Sequence, residues 1–365
     1  MIDFMPKSQR RQRSTLAEVA RAAGVSVATA SRALSSESRP LRAGTAARAE
    51  KVRQLAQKLG YSPDLRARSL RGGQSNSIGV VYSEVHPMMD ETSYAPMFRA
   101  FGQVLEAAGY NLMFVHVPRA AGVQPASMLH AVDAAVYYHR ITEGQVDAAR
   151  LVEGPSILVN CEAKLPYPRV IPDDVAGATD LTRHLLELGH RRIVYLNKGR
   201  PGADFVHYSA ALRRDVIRGA MNDAGLGASY DVWEADIEAP FDEITTRYMN
   251  LPVAERPTAI VVNYSLIAIS LLNEFLRRGV KVPEELSIAT FDDHDLVSHA
   301  MVPLTTVAVP MAEMGRTAAG LILGLLQKPR QRVSKEMVLP ERLIVRQSTG
   351  PVSAATVALS ARGRK

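Results

Sequence analysis

From Ser77 onward the sequence alternates short apolar runs with longer amphipathic stretches, and this pattern constrains the fold more than any other feature. "SIGVVYS", "NLMFVHV", "AVDAAVYYH", "SILVN", "RRIVYL", a stretch near Tyr230–Glu234, "TAIVVN" and "LSIATF" have the length and composition of buried strands. Helical periodicity fills the gaps: "YAPMFRAFGQVLEAAGY" up to Gly109, a stretch around Glu143–Val152, "GATDLTRHLLELGH", Leu212–Ala224, Phe241–Met249 and "LIAISLLNEFLRRG". Strands apolar on both faces must be covered on both faces, and parallel neighbours need crossover helices, so the pattern predicts parallel α/β sheets. Eight or more such strands exceed one comfortable sheet. Two lobes are expected, with a ligand cleft at the carboxyl ends of the strands.

The first fifth of the chain follows a different rule. Residues 1–75 hold 15 Lys/Arg and 5 Asp/Glu, whereas residues 76–365 hold 29 and 32, so the whole basic excess of a +7 chain sits at the front. A basic end on a slightly acidic body suits a head that grips a polyanion. In "STLAEVARAAGVSVATASRALSS", Leu16, Val19, Ala20 and Ala23 fall at i, i+3, i+4 and i+7, giving one buried helical face. Ser14 or Thr15 can cap this helix, and Gly24 can end it in the left-handed conformation. Ser26 then caps a second helix from Val27 to Leu34, with Ala30 and Leu34 inward and Val27, Ala28, Ser31 and Arg32 on the other face. A third helix, Thr45–Leu59, is expected to bury Ala49, Val52, Ala56 and Leu59. Two helices joined by a tight Gly turn predict a helix-turn-helix, whose second helix must fit the major groove of duplex DNA. Small side chains let its backbone approach, hydroxyls reach phosphates, Arg32 can pair with a guanine edge, and Val27 and Ala28 can meet thymine methyls. An ordinary helical hairpin is the alternative, and the local charge weighs against it.

Between Pro63 and Gly72-Gly73 lies "DLRARSL", too short and too polar to be a stable helix alone. It suits either a flexible linker or a segment that folds on a surface, with Asp64 capping it and Arg66, Arg68 and Arg71 neutralising phosphates.

"TLAEVARAAGVSVATASRAL" resembles the head of the lactose/galactose repressor, or LacI-type, family. Thr15, Leu16, Val19, Ala20, Ala23, Gly24, Val25, Ser26, Thr29, Ser31, Arg32 and Leu34 match its pattern; Glu18 and Ala30 depart mildly from the usual Asp and Val. The resemblance implies that Val27 and Ala28 choose the operator together with Arg32. "SESRPLRAG", longer and more basic than is usual there, would add phosphate contacts through Arg39 and Arg42. The family's hinge motif maps onto Tyr61, Pro63, Asp64, Ala67, Arg68 and Leu70, which implies paired hinge helices in the minor groove with Leu70 as the wedge.

The body carries the resemblance further through "DLTRHLLELGHRRIVYL", "LRRGVKVPEELSIATFDD" and "VPLTTVAVPMAEMGRTAAGLIL". These imply a periplasmic-binding-protein-like effector domain whose chain crosses between lobes three times, with "VPLTTV" returning to the neighbourhood of the N-terminal lobe. Carried over residue by residue, the effector site comprises Arg213, Asn263 and Asp292, with Tyr82 and Tyr94 as candidate walls. Val216 and Tyr264 depart from the family pattern, and Ile237 falls near a place where it often has an aromatic. The site's start, "YSEVHPMMDETSYAPM", is also atypical, so a sugar is only the class expectation.

The expected architecture is therefore an all-α helix-turn-helix DNA-binding head plus an α/β two-lobed periplasmic-binding-protein-like effector domain. Residues 1–13 form a basic disordered arm, 14–62 the head, 63–75 the hinge and linker, 76–350 the effector-binding and dimerisation domain, and 351–365 a disordered tail. The expected partners are double-stranded operator DNA, a small-molecule effector and a second copy of the chain. The tail lacks long leucine heptads, which favours a homodimer. One cysteine, Cys161, excludes an internal disulfide and suits the cytoplasm, and neither an apolar leader nor a membrane-length apolar run is visible. Phosphate-loop, zinc-protease and nucleophile-elbow motifs are absent, which argues against an enzyme, and no cofactor or metal is expected. "DDHD" at 292–295 could suggest a metal, but adjacent carboxylates in a strand-end loop usually point apart. A cytoplasmic solute-binding protein and a ligand-activated activator are the alternatives to a repressor.

Overall fold

Thr15 shows how local chemistry starts the N-terminal unit. Its side chain accepts from the Glu18 amide at 3.3 Å while Glu18 Oε2 accepts from the Thr15 amide at 2.7 Å, a complete capping box ahead of α1 (Leu16–Ala23). Gly24 ends this helix at φ 66°, a left-handed conformation that glycine adopts without strain. Ser26 Oγ accepts from the Thr29 amide at 3.2 Å and opens α2 (Val27–Ser35). The third helix, α3, runs Ala43–Lys58. Val19, Ala20, Ala30, Ala33, Ala49, Val52 and Ala56 form the small core of this unit. Fully burying a valine such as Val19 or Val52 contributes roughly 1.5–3 kcal/mol, so a core made mostly of alanine relies on close helix approach. Leu59 departs from expectation: α3 ends one residue before it, and its side chain is 39% exposed. Tyr61 packs against the core instead, with its amide donating to the Ala56 carbonyl at 2.9 Å.

This computed structural model describes residues 14–35, 43–59, 61, 75–82, 94–117, 132–139, 141, 154–161, 163–199, 207–236, 239–329 and 331–352. Ala67, Arg68 and Leu70, the stretch Glu143–Val152, Ile237, the expected N-terminal arm and the expected tail from residue 353 lie outside the described residues, whereas the first two residues of that tail are described and the Val352 amide donates to the Leu188 carbonyl at 3.0 Å, so order runs past 350. The chain divides into two units, Met1–Ser75 and Asn76–Lys365.

The second unit contains two six-stranded sheets. The first has the order β11-β5-β4-β3-β1-β2, built from β1 (Ser77–Tyr82), β2 (Asn111–His116), β3 (Ala134–Tyr138), β4 (Ser156–Val159), β5 (Arg169–Pro172) and β11 (Glu336–Leu339). The second has the order β12-β10-β9-β8-β6-β7, from β6 (Ile193–Gly199), β7 (Tyr230–Asp236), β8 (Ala259–Val262), β9 (Ser287–Phe291), β10 (Thr305–Ala308) and β12 (Arg342–Ile344). Every pairing is parallel except β10 with β12. Central strands such as β3, β4, β8 and β9 are buried along their whole length, as their largely apolar composition requires. The edge strand β2 is half-exposed.

Helices α4 (Ala95–Ala107) and α10 (Met311–Gln327) pack against each other in the first lobe. Gly315 permits this, since a Cβ there would lie 2.2 Å from the Met97 carbonyl oxygen. The second lobe holds α5 (Asp174–Glu187), α6 (Tyr208–Asp223), α7 (Phe241–Asn250), α8 (Ser265–Arg277) and the short α9 (Asp295–Ser298). The chain passes between lobes three times: from β5 to α5, from β10 to α10, and from β11 to β12. "VPLTTV" does not itself return to the first lobe. Thr305–Ala308 pairs with β9 and β12 in the second sheet, and the return follows at Val309–Pro310. The strand is buried and its threonine hydroxyls are bonded within the second lobe, Thr305 with Thr349 at 2.8 Å and Thr306 donating to the Asp292 carbonyl at 2.9 Å, which holds it in that sheet.

Candidate DNA-reading face and inter-lobe cleft

The second helix of the N-terminal unit buries Ala30 and Ala33, with Leu34 half-buried beside them. Val27, Ala28 and Arg32 face outward, with Val27 44% exposed, and Ser31 lies half-buried beside them. Arg32 Nε donates to the Ala28 carbonyl at 3.3 Å, which lays the side chain back along its own helix. Ser26 and Thr29 share a hydroxyl hydrogen bond of 2.8 Å at the helix start. The outcome is a helix surface with little side-chain bulk and one exposed guanidinium, which a groove about 12 Å wide can accept. Thr15 is spent on its cap, while Leu16 and Tyr61 lean on the core of the unit.

In the second unit, α6 begins four residues before the periodicity suggests, at Tyr208. Its first turn faces the other lobe, so it lacks the apolar spacing that marks core-facing turns. His207, at the N-cap, stacks on His139 of the first lobe at 4.3 Å between ring centroids, and its Nε2 lies 3.2 Å from the Asn160 carbonyl. Tyr208 Oη donates to Asn160 Oδ1 at 3.1 Å, and burial pushes its pKa up. On the other side of His139, Tyr94 Oη lies 3.1 Å from Nε2. The cleft is thus bridged by aromatic and amide groups from both lobes.

One helical turn on, Arg213 is buried. Its Nε donates to Asp174 Oδ1 at 2.6 Å, its Nη2 to Glu341 Oε1 at 3.4 Å, and its guanidinium lies 4.0 Å above the Phe291 ring centroid. Asp174 is the first residue of α5, just past the first crossing, and Glu341 sits on the third. Arg213 therefore ties two inter-lobe crossings together. Burial opposes its charge, but Asp174, Glu341 and Asp292 outweigh that and hold its pKa above the usual range. Burial raises Asp174, with Arg213 acting against the shift. Burial likewise pushes Glu341 up to about 8 and Asp292 to about 6, each partly offset by Arg213. Asp292 follows β9 at φ 69° and borders a recess of about 320 Å³ at the second crossing, shared with Pro96, Pro310, Glu313 and Arg316.

The expected effector residues therefore divide. Arg213 and Asp292 belong to one electrostatic cluster. Asn263, at the end of β8, donates to Asn197 Oδ1 at 3.0 Å, and Asn197 donates to Glu234 at 2.8 Å, a polar chain of its own. Tyr94 joins the aromatic bridge, whereas Tyr82 packs beside the rings of Phe114 and His116 at the β2 edge. Asp174, Glu341, His139, Asn160, His207 and Tyr208 escaped the sequence reading. One signal pointed to some of them: His139, Asn160 and Asp292 each follow an apolar strand run and adopt positive φ, at 61°, 49° and 69°. His, Asn and Asp are enriched in that conformation, so a strand run ending in one of them marks a turn at the rim of a sheet. Among the described residues, no group of His, Cys, Asp and Glu could hold a metal ion, and no helix is long and apolar enough to cross a membrane.

Comparison with known proteins finds matches along both units. Residues 15–64 match the family of bacterial regulatory proteins, lacI family, and residues 182–349 match the periplasmic binding protein-like domain. The HTH-type transcriptional regulator DegA of Bacillus subtilis is 28% identical over 93% of this chain and 99% of its own length. The crystal structure of the lac repressor dimer bound to operator and the anti-inducer ONPF superposes with a TM-score of 0.74 at 23% identity, covering 93% of this chain and all of that one. A LacI family regulator from Enterococcus faecium with bound ribose superposes with a TM-score of 0.65 at 20% identity, covering 76% of this chain and all of that one. A helix-turn-helix head joined to a two-lobed body, matched along both parts, places this chain in the LacI family of DNA-binding transcriptional regulators.

Proposed function

We propose that this regulator is a repressor that binds a near-palindromic operator as a homodimer and is controlled by a small molecule in the inter-lobe cleft. The outward face of α2 carries this reading: Val27, Ala28 and Arg32 are exposed on a helix otherwise free of bulky groups, on the unit that holds the basic excess. Arg32 pairs with a guanine edge, Val27 and Ala28 meet thymine methyls, and Ser26, Thr29 and Ser31 contribute hydroxyls toward phosphates. Thr15, Leu16 and Tyr61 hold the head in shape around that face. The hinge motif with Ala67, Arg68 and Leu70 supplies a minor-groove wedge, and two-fold symmetry doubles every contact. The lac repressor structure, a dimer on operator with a small molecule, supports the assembly, and the ribose-bound regulator supports a sugar-like effector.

In the cleft, Arg213, Asp292 and Asn263 take the polar groups of the effector, with Tyr94 as a wall. Tyr82 stands apart at the sheet edge. Because Arg213 joins two lobe crossings, a ligand that engages it changes how the lobes sit on each other.

Operator selection from a random duplex pool, followed by fluorescence anisotropy, tests the proposal. A selected site should have two-fold symmetry and bind two chains. Leu70→Ala should weaken operator binding strongly while leaving effector binding intact. Equal affinity of the two proteins for the operator removes the wedge from the account. Failure to prefer any duplex over random sequence at moderate salt removes the regulatory reading altogether.

A further inference from the structure

His139 and His207 face each other across the cleft, one following strand β3 of the first lobe and one opening α6 of the second. Their rings stack at 4.3 Å between centroids, with planes 17° apart. The partners of His207 fix where its proton sits. The Ser209 amide donates to Nδ1 at 3.4 Å, and Ser209 Oγ lies 2.5 Å from the same nitrogen. Nδ1 is therefore an acceptor, and Nε2 carries the proton and donates it to the Asn160 carbonyl at 3.2 Å. The neutral ring is satisfied at both nitrogens, one within its own helix and one across the cleft. A second proton has no place in this arrangement. On Nδ1 it would confront the Ser209 N–H, and α6 would lose its N-cap. The added charge would sit at the positive end of a 16-residue helix. A proton on His139 as well would set two like charges within stacking distance. Parting the lobes relieves all three conflicts, because a hydrated imidazole takes up its proton at about pH 6.5.

We propose that His139 and His207 form a pH-sensitive latch between the lobes, closed while both rings are neutral and released when they take up protons. Closure is complete above about pH 6.5 and is lost progressively as pH falls below it, since only the released state binds the extra proton freely. Among the described residues, the titratable groups around the pair are Tyr94 at the start of α4, Tyr138 on β3, Cys161 after β4 and Tyr208 on α6. Asp174, Glu341 and Arg213 act in turn on Tyr208. Release frees the start of α6, the helix that carries Arg213, so acid loosens the same inter-lobe contacts that a cleft ligand would engage. The consequence for operator binding rests on the reading of the cleft as the control site; the latch itself does not.

Hydrogen–deuterium exchange on the full chain, corrected for the pH dependence of intrinsic exchange, tests the latch at the first turns of α6. Between about pH 7.5 and about pH 5.5 protection there should fall about tenfold or more, tenfold being the limit for one imidazole of ordinary proton affinity. Protection of α10 should hold. His207→Asn keeps a capping side chain that does not titrate, so it should remove the pH response. Protection that stays flat in the parent, that falls equally in α10, or that falls as far in H207N overturns the latch. Should H207N fail to fold, His139→Gln decides the matter: with one of two charges gone the fall should shrink, and an undiminished fall overturns the pair. Operator affinity, measured by anisotropy over the same window, separates the two readings. It should change in the parent and stay constant in H207N. A latch that opens in the exchange experiment with no change in operator affinity upholds the proposal and removes lobe control from the proposed function.

Discussion

Arg32 and Arg213 both sit on helices that lead with small or polar residues, and their surroundings are opposite. Arg32 is exposed and folded back on its own helix. Arg213 is buried, stacked on Phe291 and engaged by Asp174 and Glu341 at two lobe crossings. An exposed guanidinium keeps its hydration until a partner arrives, so it suits recognition of a large polyanion. A buried one must be neutralised within the fold, so its partners belong to the architecture, and any ligand competes with them. The head presents a charge, and the body stores several.

Breaking the buried arrangement should have the largest effect. Arg213→Ala strands two buried carboxylates, and denaturant unfolding should show a loss of about 3–5 kcal/mol from the second unit. Operator affinity of whatever protein remains folded should change far less than its stability. A loss below about 1 kcal/mol would show that Asp174 and Glu341 relax by taking up protons.

A pH titration sharpens the contrast without mutation. All nine histidines of the chain lie beyond residue 75. Burial lowers His190 to about 4, with Nδ1 3.0 Å from Thr258 Oγ1 and Nε2 3.1 Å from the Gly350 carbonyl. A lowered pKa means stability that is complete above about 6.5 and drains away as pH falls toward 4, worth up to about 3 kcal/mol. Circular dichroism melts should lose stability in the second unit across that window. His190→Gln, which does not titrate, should flatten the slope. An equal acid sensitivity in the histidine-free head would break the comparison.

On the exposed side the effects are smaller and fall on binding. Arg32→Ala should cost about 1–3 kcal/mol of specific operator affinity, relax the sequence preference at one base pair and leave the melting temperature within about a degree. Thr15→Ala removes half of the capping box and should destabilise the head by about 1 kcal/mol, measured by thermal melting. A larger loss of operator affinity from T15A than from R32A would mean that the shape of the head matters more than its guanidinium.

Much of the head was legible because its information is local. Capping at Thr15, the left-handed turn at Gly24, the Ser26 cap and the inward alanines all depend on residues within a few positions of each other. Leu59 misled because the periodicity of α3 ran one residue past its end. In the body, the alternation of strand and helix signalled parallel sheets and two lobes for the same local reason. Periodicity says which face of an element is apolar, but not which strand it lies beside, so "VPLTTV" was placed a step too early. Its alternative neighbours differ only in tertiary context.

Sequence alone settled what short-range sterics, capping and hydrophobic period decide: a basic helix-turn-helix at the N-terminal end and a doubly covered parallel α/β body after it. Tertiary structure decided who meets Arg213. Asp174 and Glu341 lie 39 and 128 residues from it along the chain, and each is an unremarkable acid next to a turn when read in place. Only the folding of two crossings onto one helix removes water from all three at once. Removal of water turns ordinary charges into a cluster whose members shift one another's proton affinity.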